Sequence, residues 1–512
     1  GDHRDLHYPL RRQRQMCIRD SAQTVLVSGN DFYAAPRLSP GADKLAWITW
    51  NHPNMPWDGT ELWIANVQAD GTLAHARQIA GGLTESITQP VWAPAGASPE
   101  GTLYFISDHN GWWNLYRWHD NQVEPIIEMA AEFATPQWVF GLTSYAFESA
   151  QRIVCVYGEA GINHLGSINT QSKVLTPIAL PFTIISSLSA APGYVLFQGG
   201  SPSQSGALVL LNLTTGQTQI LKRSDTLEVD DGYLSTPQAI EFPTEQGLSA
   251  HAFFYAPQNK DYIAPEGEKP PLLVISHGGP TGMATSKLSL STQYWTSRGF
   301  AVLDVNYGGS AGYGRVYRER LNGQWGIVDV DDCVNGALYL VQQGLVDDER
   351  LAIRGGSAGG YTTLSVLAFR DVFKVGASYF GVSDLEALAL DTHKFESRYL
   401  DRLIGPYPER RDLYHARSPI YHVDSLNCPV IFFQGLEDKV VAPRQAEMMV
   451  NALRQKGIPV AYIPFEGEQH GFRRAENIKR ALDNELYFYA RIFGFVLAES
   501  VEAIAIENLG TV

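Results

Sequence analysis

The chain holds 512 residues, 45% of them apolar, enough to build more than one hydrophobic core. Its formal net charge of −15 argues against nucleic acid or anionic membrane as a partner, because both would repel it. No run of about eighteen apolar residues exists, and the stretch from Val174 to Phe197 is interrupted by Pro177, Pro181 and Pro192, so the sequence predicts no transmembrane helix and reads as soluble.

Residues 1–21 stand apart. Asp2 to Arg14 is charged, without amphipathic period or a signal-peptide apolar region. Met16-Cys17-Ile18-Arg19-Asp20-Ser21 resembles a translated sequencing adapter, so this segment is read as an assembly scar in place of the authentic start. A targeting signal would have been lost with that start, and the remainder predicts a cytoplasmic protein. Cys155, Cys333 and Cys428 lie in apolar surroundings without metal-type spacing and are read as buried free thiols. No metal or cofactor is expected.

From 22 to 238 the sequence repeats loosely. Pro36, Pro90 and Pro136 each open a unit, 54 and 46 residues apart, with short alternating runs behind them such as Lys44 to Ile48, Thr102 to Ile106 and Ile153 to Val156. A weaker fourth unit spans about Phe182 to Leu213. Short strands at this period predict β-propeller blades, with a β-sandwich as the competing reading. About four blades, behind a scar, suggest a truncated propeller. Its first blade would then lack a neighbour, leaving Leu45, Trp47 or Trp63 more exposed than Leu103, Phe105 and Tyr116 in the next. Trp112, Trp113 and Trp118 are read as packing residues, and Glu61 as a solvated turn carboxylate outside any site.

From 239 to 496 the rhythm changes, and 497–512 reads as a C-terminal tail. Glu241-Phe242 and Ala250 to Tyr255 alternate like a hairpin. Leu272 to Ile275, Ala301 to Val305, Leu351 to Ile353, Val375 to Phe380, Pro429 to Phe433 and Val460 to Phe465 read as buried strands. Helical patterns at Val328–Gly344 and Pro443–Gly457 lie between them, which predicts a mostly parallel, doubly wound sheet. Gly355-Gly356-Ser357-Ala358-Gly359 has the G-x-S-x-G form of a strand–turn–helix elbow that exposes a nucleophilic serine. Asp438 and His470 each follow a strand on a loop, completing the serine, acid, histidine order of an α/β-hydrolase. Alone, Asp438 could be a helix cap and His470 a solvated loop residue. Three matching contexts in the required order point to a Ser357–His470–Asp438 triad.

His277-Gly278-Gly279-Pro280, Asn306 to Gly314, the elbow, Gly435 to Asp438 and Glu468 to Phe472 together resemble the prolyl oligopeptidase family of serine peptidases, in its acylaminoacyl-peptidase and dipeptidyl-aminopeptidase-like branch. The resemblance covers about Glu241 to Phe495 strongly. It implies an α/β-hydrolase domain preceded by a propeller that screens substrates by size, and peptide or aminoacyl-amide substrates. It implies that the backbone N–H groups of Gly279 and Ala358 form the oxyanion hole and that Val382, Leu385 and Phe395 line the substrate pocket. Other branches carry a tyrosine hydroxyl where this chain has His277, leaving open whether His277 is a third donor or a buttress. Relatives place arginine or asparagine just beyond the catalytic acid, whereas this chain has Lys439 and Val440. An esterase or drug-amide hydrolase using the same triad, and an inactive interaction scaffold, are the competing functions.

Overall fold

The computed structural model describes residues 24–97, 99 and 101–510, so the adapter-like start lies outside the described residues. Four antiparallel sheets of four strands come first. They comprise Phe32–Leu38, Lys44–Trp50, Glu61–Val67 and Leu73–Gly81 (β1–β4); Ile87–Trp92, Leu103–Ser107, Asn114–His119 and Gln122–Pro125 (β5–β8); Tyr145–Ser149, Arg152–Glu159, Ile162–Asn169 and Leu175–Ile178 (β9–β12); and Ile184–Ala191, Tyr194–Gly200, Ala207–Asn212 and Thr218–Arg223 (β13–β16). Each sheet is a meander in sequence order. The burial gradient within a sheet explains the arrangement. The middle strands are apolar and buried, as in β6, whereas the last strand is polar and exposed, as in β16. Innermost strands of neighbouring sheets lie against one another, β1 with β5 and β9 with β13. This is the radial stacking of propeller blades.

One sequence-based boundary shifts, and one exposure expectation holds only in part. The third blade opens at Tyr145 rather than Pro136, and the Pro136–Phe140 segment is not a strand. It is drawn away because Trp138 reaches the second domain. In the first blade, Leu45 and Trp63 are half-buried where Leu103, Phe105 and Tyr116 are buried, but Trp47 is only 4% exposed. Trp63 lies over Trp47 in a stacked pair 6.2 Å apart, held by its Nε1–H donating to Glu61 Oε2.

The second domain is one eight-stranded sheet. Its strands are Gln238–Pro243 (β17), Ser249–Tyr255 (β18), Leu272–Ser276 (β19), Ala301–Asn306 (β20), Leu351–Gly356 (β21), Val375–Tyr379 (β22), Val430–Gly435 (β23) and Val460–Phe465 (β24). Their order is β17-β18-β20-β19-β21-β22-β23-β24. The β17–β18 hairpin is antiparallel and joins β20 antiparallel; every pairing beyond is parallel. Parallel strands buried on both faces require continuous apolar runs, which is what β19 and β23 carry.

The helices are Leu290–Thr296 (α1), Gly314–Arg318 (α2), Val328–Gln342 (α3), Ala358–Phe369 (α4), Leu385–Leu390 (α5), Tyr399–Leu403 (α6), Arg411–Arg417 (α7), Pro443–Lys456 (α8) and Ala475–Phe493 (α9). Pro443 opens α8 and Gly457, at φ +80°, closes it in the left-handed conformation. Residues beyond α9 return to the sheet. Leu497, Val501, Ile504 and Ile506 pack on its core, and Glu507 exchanges two backbone hydrogen bonds with Val460. No helix among the described residues is long and apolar enough to cross a membrane.

The two domains are joined by buried charge. Asp108, on the second blade, accepts from Arg315 at 2.8 Å and Arg318 at 2.7 Å, both on α2. Glu132 accepts from the backbone N–H groups of Trp113 at 2.9 Å and Gly314 at 3.1 Å. Burial pushes its carboxyl up to about 7.

Candidate active site

Strand β21 ends in the elbow. Ser357 sits at φ 56°, ψ −119°, a conformation L-residues avoid, and α4 begins at the next residue. The neighbouring glycines explain how the turn closes. A Cβ on Gly355 would fall 2.2 Å from the Gly359 carbonyl oxygen, and one on Gly359 would fall 2.1 Å from that of Ser276. Only a chain without side chains at both points can press the elbow against the end of β19. The Ser357 N–H is anchored on the Tyr379 carbonyl at 3.0 Å.

Asp438 follows β23 and is 5% exposed. Its Oδ1 accepts from the Val440 and Val441 N–H groups at 2.8 and 2.9 Å. Oδ2 accepts from His470 Nδ1 at 2.8 Å. That contact fixes the imidazole, because a carboxylate can only accept. Nδ1 therefore carries the proton, and Nε2 is left to accept from the Ser357 hydroxyl at 2.8 Å. Phe380 stands edge-on to the His470 ring, 4.8 Å between centroids, and keeps it upright. The three side chains assembled from loops after β21, β23 and β24 form a continuous chain of hydrogen bonds.

Beside Ser357, the loop after β19 folds over the elbow. Gly279 adopts φ +127°, and among the described residues its N–H donates to no other group. Ala358 is the first residue of α4, where an N–H has no intrahelical partner. Both residues border the cavity next to Ser357. His277 is engaged elsewhere. Its Nδ1 lies 2.9 Å from the Gly278 carbonyl and its Nε2 2.7 Å from Ser310 Oγ, while its ring stacks on Tyr307. A carbonyl only accepts, so Nδ1 holds the hydrogen and Nε2 takes one from Ser310. Burial pushes this imidazole down to about 4, which keeps it neutral. His277 thus has no ring N–H to spare and buttresses the loop. The first domain also holds this loop. Trp138 Nε1–H donates to the Thr281 carbonyl at 2.7 Å, and the Thr281 N–H donates to Tyr399 Oη at 3.1 Å.

Ser357 and His470 open onto a cavity of about 570 Å³ between the domains. Val382 lines it, but Leu385 and Phe395 do not. Leu385 is the fully buried first residue of α5, turned into the core with its N–H on Ser418 Oγ. Phe395 lies one layer behind, edge-on to Phe32 and Trp57 and 6.1 Å from Trp138. Leu388, one turn beyond Leu385, and Trp138 take the wall positions instead. Lys439 points to solvent, and the cavity wall beside the acid is Val440 and Val441. The sequence reading missed Glu396, the only carboxylate among the lining residues, which include no lysine or arginine. Among the described residues no grouping of three or more His, Cys, Asp or Glu is arranged to hold a metal ion.

A nucleophile-type elbow on a mostly parallel sheet, behind a four-stranded-blade domain, defines an α/β-hydrolase domain preceded by a β-propeller. The model of the prolyl oligopeptidase family matches residues 286–495. Among solved structures, a Mycobacterium tuberculosis puromycin-hydrolyzing peptidase is 45% identical, with a TM-score of 0.91 over 94% of this chain and 73% of its own. A puromycin hydrolase is 41% identical, with a TM-score of 0.88 over 93% and 71%. The chain belongs to the prolyl oligopeptidase family of serine peptidases. Dipeptidyl aminopeptidase BIII of Pseudoxanthomonas mexicana is 34% identical over 41% of this chain and 31% of its own length. Dipeptidyl peptidase family member 6 of Caenorhabditis elegans is 31% identical over 43% and 33%. The matched region thus spans about a third of each of these two curated relatives.

Proposed function

We propose that the protein is a serine peptidase that hydrolyses short peptides or aminoacyl amides through an acyl-enzyme. The observation that carries this reading is the hydrogen-bonded Ser357–His470–Asp438 chain opening onto the cavity beside two unengaged backbone N–H groups. In this reading Ser357 Oγ attacks the scissile carbonyl carbon while its proton passes to His470 Nε2. The carbonyl oxygen becomes an oxyanion facing the Gly279 and Ala358 N–H groups. Collapse breaks the C–N bond, and His470 returns the proton to the leaving amine. Water then attacks the acyl-serine by the same route, regenerating Ser357. Asp438 holds the Nδ1 proton toward itself and balances the imidazolium.

The cavity walls favour uncharged side chains. Trp138, Trp325, Val382, Leu388, Leu400 and Val441 contribute apolar surface, and no cationic side chain among the lining residues awaits a substrate carboxylate. An aminoacyl amide of the puromycin type, joining an aromatic amino acid to a bulky amine, suits such a space, consistent with the relatives' named activity. Three unpaired thiols, Cys155, Cys333 and Cys428, suit a reducing compartment, and we place the protein in the cytoplasm. Turnover of an aminoacyl anilide compared with nitrophenyl acetate tests the function. Efficient anilide cleavage that disappears in Ser357→Ala is expected; ester cleavage with no amide cleavage would assign an esterase.

A further inference from the structure

We propose that Glu396 receives the substrate's free α-ammonium group, so that the enzyme reads the unblocked amino end of aminoacyl amides and short peptides. This rests on the peptidase reading and adds what that reading leaves open, the end from which a substrate is engaged.

Glu396 lies on the turn between α5 and α6, with its carboxylate half-buried on the cavity wall that also holds Ser357 and His470. Its position is set by both domains. Next to it Phe395 is wedged among Phe32, Trp57 and Trp138, and Lys394 Nζ donates to the Asp31 carbonyl at 2.7 Å. The backbone turn is closed by the Glu396 N–H on the His393 carbonyl at 3.1 Å and the Tyr399 N–H on the Glu396 carbonyl at 2.9 Å. A turn pinned this way holds its side chain in place before substrate arrives.

The carboxylate itself is under-used. Among the described residues the one ion-pair contact of its carboxylate is with His393, 3.5 Å away, too long for a strong hydrogen bond. Burial pushes its carboxyl above the usual range, while His393 and His470 act in the opposite sense. A half-desolvated carboxylate with free lone pairs stands where a cation with three donors would satisfy it. The other titratable lining residues are His277, His393, Tyr399 and His470, and of these only His393, half-exposed and 3.5 Å away, contacts the carboxylate. His277 is neutral and committed to its loop, and His470 to Asp438 and Ser357. The α-ammonium of an aminoacyl amide sits one carbon from the scissile carbonyl, and that of a dipeptidyl substrate lies one residue further. Either places the positive charge within the same cavity as the acyl carbon facing Ser357. An N-acylated substrate brings no cation and leaves the carboxylate desolvated without a partner, which selects against it.

The test is the ratio of kcat/KM for phenylalanine 4-nitroanilide to that for its N-acetyl derivative, in the wild type, Glu396→Gln and Glu396→Asp. The wild-type ratio is expected to exceed one and to fall about 10- to 100-fold in Glu396→Gln, mainly through KM, as expected for a lost charge-assisted hydrogen bond. Glu396→Asp, which keeps the charge on a shorter arm, should recover part of it. Equal losses on both substrates, or none, would overturn the proposal. The rate of Ser357 phosphonylation in each variant reports the state of the triad separately. If the parent chain cleaves neither substrate and resists phosphonylation, the peptidase reading fails. Phenylalaninamide binding then decides the matter for Glu396, measured by calorimetry on Ser357→Ala with and without Glu396→Gln. An unchanged Kd refutes the ammonium site, and a Kd raised tenfold or more sustains it.

Discussion

Trp138→Phe isolates one hydrogen bond between the domains. The substitution keeps an aromatic ring against Trp57, at 4.5 Å, and Tyr399, at 5.8 Å, but removes the N–H that reaches the Thr281 carbonyl at 2.7 Å. Thr281 is 5% exposed, so its carbonyl loses its donor in a place water reaches poorly. Leaving a buried acceptor unpaired costs about 1–3 kcal/mol. The loop can escape that cost by shifting, and Gly279, two residues upstream, would shift with it. If the whole cost falls on the oxyanion geometry, kcat drops about 5- to 150-fold at about 1.4 kcal/mol per decade. The loss should appear in kcat rather than KM, because in the proposed mechanism the Gly279 N–H meets its partner only as charge develops on oxygen. Steady-state kinetics on an aminoacyl anilide, with a thermal melt to confirm folding, read this directly. Wild-type kcat with a raised KM would make Trp138 a cavity wall and nothing more, and refute the coupling.

Glu132 should leave a mark on stability against pH. Its folded value of about 7 lies above the ordinary 4.5, so between these values the native state holds a proton that the unfolded chain has released. Stability contributed by this group therefore falls as pH rises through that window, by up to about 3 kcal/mol. Urea midpoints from pH 5 to 8 should decline less steeply in Glu132→Gln than in the wild type, and parallel curves would contradict the assignment. Leu388→Trp, which narrows the cavity at a half-buried position, should raise KM for a phenylalanyl anilide at least several-fold more than for an alanyl anilide. Equal effects on both would place Leu388 outside the side-chain pocket. Gly359→Ala cannot keep the native elbow, since its new Cβ would lie 2.1 Å from the Ser276 carbonyl oxygen. Soluble, fully active protein from that variant would show that the contact between β19 and the elbow is dispensable.

The contrast between Ser357 and Leu385 explains what a sequence can and cannot disclose here. Ser357, Asp438 and His470 each sit just past an apolar strand run, and parallel sheets bring the ends of such strands to one edge. Short local patterns thus carried their own three-dimensional address. The segment from Gly381 to Leu403 has no such address. It is two short helices and a turn, and a shift of register by about one turn along α5 exchanges Leu385 for Leu388 between core and cavity. Trp138 was legible only as a repeat opener, because its partner Thr281 lies 143 residues away. Glu396 gave no local signal at all. What makes it notable is the absence of other carboxylates and of lysine or arginine among the side chains lining the cavity, a property of the assembled surface. Four sheets among the described residues follow the period and alternation of the sequence, whereas the third one's start was displaced by the same interdomain contact that recruits Trp138.

The most direct test is to expose the chain to a fluorophosphonate probe, digest it and identify the modified residue by mass spectrometry. Stoichiometric modification of Ser357, abolished in His470→Ala and accompanied by complete loss of aminoacyl-anilide cleavage, is the result predicted by a serine activated through His470. Modification at another serine, or anilide cleavage that survives full modification of Ser357, would contradict it.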